Sequence, residues 1–157
     1  MSYTFLNHTA DLKVLVKEKN IILAFSNSAL ALREAICGKI RIKSKITKKF
    51  HVKGDDFESL FYNFLEEFLF LLDAKSFLLS KIEKIKIINK KNQSGKKSRA
   101  SIEGSTFNNK KLVLTAEVSG DKAENYNFSN NVKAITYNDM FVGKKGKDFI
   151  CQFVLDV

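Results

Sequence analysis

Hydrophobic positions along the chain change period several times, and each change marks an element. Leu12, Val14 and Val16 fall on one side of an alternating stretch, and Asp11, Lys13 and Lys17 on the other. A period of two predicts a strand with one wet face. Asp11 then stands at the mouth of that strand, off its apolar row. After a polar turn the period lengthens. Ile21, Phe25, Ala29, Leu32 and Ile36 recur at helical spacing, Ser26, Asn27, Arg33 and Glu34 fit the wet face, and Gly38 is a natural stop. Phe50 and Val52 then alternate with Lys49, His51 and Lys53, which predicts a second strand with His51 at the surface. Gly54-Asp55-Asp56 breaks it and offers an N-cap.

The strongest helix follows. Phe57, Leu60, Phe61, Phe64, Leu65, Phe68, Leu69 and Leu72 keep helical spacing, Glu58, Asn63, Glu66 and Glu67 face outward, and Asp73 closes it. This aromatic stripe reads as core. Phe77 to Ser80 restarts an extended segment, and Ile82, Ile85, Ile87 and Ile88 continue it with no clear register. From Asn89 to Lys111 the chain is polar and lysine-rich, a loop or loosely held hairpin. Leu112, Leu114, Ala116 and Val118 alternate as a strand, and Gly120 to Asn131 turns irregular. Val132 to Tyr137 reads as another strand. Lys144 to Lys147 turns into a last one, where Phe149, Cys151, Phe153 and Leu155 share one face and Ile150, Val154 and Asp156 the other. Apolar residues on both faces predict a central strand. The order predicts an α+β fold with a largely antiparallel β-sheet and two main α-helices.

Length and composition narrow this picture. The 157 residues, 45% hydrophobic, suit a single domain over 1–157 with a sizeable core. No apolar run is long enough to span a bilayer, and Met1-Ser2-Tyr3-Thr4 lacks the layout of a signal peptide, so a cytoplasmic protein is expected. Cys37 and Cys151 are expected to be reduced and buried. The absence of Cys-x-x-Cys, with only His8 and His51 to help, argues against zinc. The net charge of +10 fits RNA or an RNA-bound partner, and fits equally a solvated lysine surface.

The odd residue of the last strand is Asp156, a carboxylate between Leu155 and Val157. Burying a bare charge is costly, so Asp156 pairs with a lysine such as Lys133 or binds a cation. If Asp11 lies opposite it, two carboxylates meet near the terminal one of Val157, and a divalent cation would relieve their repulsion. Oxygen ligands suit calcium, magnesium or manganese. The chain carries no Walker-type phosphate loop and no Gly-x-Ser-x-Gly elbow, so no enzyme acting through its own nucleophile is expected. Carboxylates on a metal leave a metal-dependent nuclease open as a rival.

Phe5-Leu6-Asn7-His8-Thr9-Ala10-Asp11 resembles the opening of the archease family. The likeness continues through Ala29-Leu30-Ala31-Leu32, Leu65 to Asp73, Val132 to Tyr137 and the closing Val154-Leu155-Asp156-Val157, in family order. The resemblance implies a non-enzymatic accessory protein of tRNA splicing. It would activate the GTP-dependent tRNA-splicing RNA ligase, promoting guanylylation of the ligase and its multiple turnover. It also implies a metal site, with calcium the ion often assigned to it in the family. The ligands carried over are Asp11, Asp156 and Val157, with His8 and Lys133 as supporting or partner contacts. A basic RNA-binding module or RNA chaperone is the alternative. The chain departs from the family pattern at Asn138, where a histidine is common, and at Asn125-Tyr126-Asn127, where an Arg-His pair is frequent. The segment from Lys90 to Lys111 is also longer than usual for the family.

Overall fold

A computed structural model describes residues 3–8, 11–90, 112–128 and 132–157. Most of the stretch expected to be a loop, 91–111, lies outside them, while Asn89 belongs to a strand. Strands β1 (Tyr3–His8) and β2 (Asp11–Glu18) form an antiparallel pair, followed by helix α1 (Ile21–Cys37), strand β3 (Ile46–Gly54) and helix α2 (Phe57–Lys75). Strands β4 (Phe77–Asn89), β5 (Leu112–Lys122), β6 (Ala134–Lys145) and β7 (Asp148–Asp156) complete the order. Among the described residues all pairings are antiparallel, in two sheets: four strands ordered β1-β2-β7-β6, and three ordered β3-β5-β4.

Both helices follow the predicted periods, and two of their end signals, Gly38 and Asp56, are the predicted ones. Asn20 caps α1 by accepting the Leu23 N–H at 2.9 Å, and Gly38, at φ 79°, ends it with its N–H on the Glu34 carbonyl. Asp56 caps α2 in a reciprocal box with Ser59. α2 runs two residues past Asp73 and ends at Ser76, which takes the left-handed conformation at φ 55°. Phe25, Phe61, Phe64 and Phe153 are fully buried. Their rings form a chain: Phe153 to Phe61 at 5.6 Å, Phe61 to Phe25 at 4.9 Å, and Phe25 to Phe64 at 5.5 Å. Phe50 of β3 continues it at 6.2 Å from Phe64. One core therefore joins both sheets through both helices.

The polar side of α1 is not fully wet. Arg33 donates to the Leu79 carbonyl at 3.0 Å, Glu34 accepts the Tyr3 hydroxyl at 2.5 Å, and Asn27 donates to Glu18. Neighbouring strands cover that face, which a single helical pattern cannot reveal. On α2, Glu58 is half-buried and accepts the Val142 N–H at 3.1 Å, so it does not point freely outward. Phe57 of the apolar stripe is 38% exposed.

Strand boundaries also differ from the pattern. β1 extends the first hairpin back to Tyr3, before the alternation begins. β4 is one strand of 13 residues whose period is broken by register shifts at Leu79/Lys81 and Ile82/Lys84. β5 continues through Gly120 to Lys122, where the sequence predicts an irregular stretch, and a short 3-10 turn follows at Ala123–Asn125. Gly120 has a packing reason: a Cβ there would lie 2.0 Å from the Leu78 carbonyl oxygen. β6 starts at Ala134 rather than Val132 and runs on to Lys145, interrupted by a shift between Thr136 and Phe141. β7 is central, as its two apolar faces predict: Phe153 and Leu155 are buried towards the helices, and Val154 and Ile150 on the other face.

Cys37 and Cys151 are free and buried, as expected. Burial pushes the Cys151 thiol up to about 12. No helix among the described residues is long and apolar enough to cross a membrane.

Candidate metal centre

The two ends of the sequence meet in the four-stranded sheet. Across β2 and β7, Asp11 is the register partner of Asp156, Leu12 of Leu155 and Val14 of Phe153. On the flanks His8 pairs with Asp11, and Ala134 with Asp156. One cross-strand row thus runs His8, Asp11, Asp156, Ala134. Residues directly opposite in an antiparallel pair share a face and sit close together. Asp11 and Asp156 therefore share the face away from the helices, both half-buried. Val157 follows Asp156 and is 44% exposed. Lys133 meets the site through its main chain, donating its N–H to the Asp156 carbonyl at 2.8 Å.

Two carboxylates placed directly opposite repel, and a cation between them removes that cost. Among the described residues, no group of three or more His, Cys, Asp and Glu side chains is arranged to hold a metal. The side chains here supply two carboxylates, and the oxygens of Val157 follow next in the chain. An all-oxygen set of this kind fits a hard divalent cation.

The same face carries a feature that the pattern did not disclose. One step along β2 from Asp11, Lys13 forms an ion pair at 3.9 Å with Asp139. Asp139 sits in the β6 irregularity at φ 62°, and its carbonyl accepts a bond from the Gln152 amide at 2.8 Å. Tyr137, in the same irregularity, packs on Tyr62 of α2 with ring centroids 5.3 Å apart. Burial, then Asp56 and Glu58, raise its hydroxyl pKa. The Tyr137-Asn138-Asp139 run is the signal that could have marked this feature, since Asn and Asp tolerate positive φ inside a strand. Asn138 is exposed there. Tyr126, in the other segment that departs from the family pattern, instead bonds Asp121 at 2.7 Å.

Two helices packed on antiparallel sheets, with Asp11 set opposite Asp156 across β2 and β7, define an α+β fold. The chain belongs to the Archease protein family (MTH1598/TM1083), whose model matches residues 3–157. Its relatives include the protein archease of Sulfurisphaera tokodaii, 27% identical over 99% of this chain and 98% of that one. The protein archease of Pyrococcus furiosus is 33% identical over 85% of this chain and 82% of that one. The fold is that of the solution structure of Methanobacterium thermoautotrophicum protein 1598, with TM-score 0.76, 24% identity and 99% and 98% of the two chains covered. A crystal structure from Thermotoga maritima, described as an archease and possible chaperone, superposes with TM-score 0.57 at 15% identity, covering 97% and 94%.

Proposed function

We propose that this protein is a non-enzymatic accessory factor that activates the GTP-dependent tRNA-splicing RNA ligase. In this reading it promotes ligase guanylylation and multiple turnover. The observation that carries the reading is the direct cross-strand pairing of Asp11 with Asp156. These two carboxylates, with main-chain or terminal oxygen from Val157, would hold a divalent cation. Calcium is the first candidate, with magnesium and manganese as alternatives. Such an ion supplies charge stabilisation for in-line displacement at a nucleotide phosphate. The chain's own residues position it. The β2–β7 ladder fixes the spacing of the carboxylates, and the core beneath them keeps the row rigid. Lys133, exposed beside the site, and His8, in register with Asp11, stand where a partner surface would arrive.

Single-turnover guanylylation of the cognate ligase with GTP and a divalent metal tests this. Wild-type protein should stimulate the reaction. Asp11→Ala and Asp156→Ala should fold normally and leave guanylylation at the level of ligase alone. Full stimulation by both variants would remove the metal centre from the mechanism. Adding chelator to isolated protein should lower its melting temperature, and should leave Asp156→Ala unmoved.

A further inference from the structure

The three-stranded sheet turns its two faces to different surroundings. Phe50, Ala116 and Ile85, which share a register row, face the helices and join the core. The opposite face is exposed to solvent and dense in lysine. One of its rows reads Lys49, Glu117, Lys84 across β3, β5 and β4, and the next reads His51, Thr115, Lys86. Lys53 and Lys81 extend the face at its two ends. All five of these lysines are exposed.

Two carboxylates answer them, and both are engaged from within the face. Glu83 accepts the Ser119 hydroxyl at 2.7 Å and pairs with Lys81 at 3.7 Å. Glu117 sits between Lys49 and Lys84 in the same row. The outer strands thus raise two cationic lines about 10 Å apart, two strand spacings, over a trough floored by Thr115 and Glu117. Among the described residues, these rows carry one imidazole and no phenyl or phenol ring. Single-stranded nucleic acid is usually gripped by stacking bases on aromatic side chains, whereas a double helix is gripped through its phosphates.

We infer that the solvent face of the β3-β5-β4 sheet is a docking surface for the sugar–phosphate backbone of double-helical RNA. Lys49, Lys84 and Lys86 contact phosphates, and recognition is independent of base sequence. The aspartate site lies in the other sheet, so this inference does not rest on ligase activation.

The test is fluorescence anisotropy of a labelled RNA duplex with the full chain and no ligase. Wild type should bind with an affinity that falls steeply with salt. The Lys49→Ala/Lys84→Ala/Lys86→Ala variant should lower the slope of log affinity against log salt by about three. A control removes the same charge at the β6–β7 turn, Lys144→Ala/Lys145→Ala/Lys147→Ala, and should bind as wild type does. Asp156→Ala should also keep RNA binding, which separates this surface from the metal centre. Equal losses in both triple variants would reduce the effect to net charge and overturn the assignment. Absence of binding by wild type would overturn it too, leaving an acidic protein surface as the occupant.

Discussion

Asp121 carries a carboxylate held by three hydrogen bonds. It is 4% exposed and accepts the Tyr126 hydroxyl at 2.7 Å, the Lys122 N–H at 2.8 Å and the Asn125 amide at 3.4 Å. The Tyr126 hydroxyl in turn accepts the Lys43 N–H at 3.0 Å, which ties the segment after α1 to the end of β5. The Tyr126 bond, the Lys122 N–H and Asn125, with Lys45 nearby, hold the Asp121 carboxyl below its ordinary value against the opposing effect of burial. A carboxyl lowered on folding stabilises the native state above its unfolded pKa, and that contribution is lost as pH falls through the folded one. Wild type should therefore lose stability on acidification below about pH 4. Asp121→Asn should be less stable than wild type near neutrality, and the gap should close in that acid window. Urea unfolding at a series of pH values reads both effects, and parallel curves would mean that Asp121 contributes no pH dependence.

Among the elements, α2 offers the clearest test. Its capping box satisfies helix-end groups with Asp56 and Ser59, and Asp56→Ala should cost about 1 kcal/mol in denaturant unfolding without altering the fold. Two helix bounds were legible in the sequence because their signals are local: Gly38 ends and Asp56 begins a run of helical period, whereas the Asn20 cap lay unmarked in a polar turn and α2 runs past Asp73. Strand bounds were less so. Tyr3–His8 becomes a strand only because β2 lies beside it, and its own residues show no clean alternation. β4 and β6 contain irregularities that shift the period, so a strand that continues in space looks broken in the sequence. The division into two sheets was also hidden, since it depends on which strands neighbour one another and not on what each contains. The Asp11–Asp156 pairing was readable for the opposite reason. Each residue is a lone carboxylate beside an apolar run at one end of the chain, and an antiparallel pairing of those runs sets them opposite.

At the scale of the molecule, the Phe153-Phe61-Phe25-Phe64 relay makes the two sheets depend on one core. Phe61→Ala should cost roughly 3–5 kcal/mol. That is a large part of the total stability of a domain this size, on the order of 5–15 kcal/mol. Amide exchange in the variant should speed up in both sheets together, and loss of protection in the four-stranded sheet alone would show that the sheets open separately. The strand that carries Phe153 also has a consequence for synthesis. β7 is the last element of the order, yet it is inserted between β2 and β6. A chain still emerging from the ribosome has made β2 early and must hold its inner edge open, with α1 and α2 lacking part of their cover, until β7 arrives. The aspartate row therefore cannot form on a nascent or prematurely ended chain. Its assembly waits for β7, and until β7 is made the inner edge of β2 is bare.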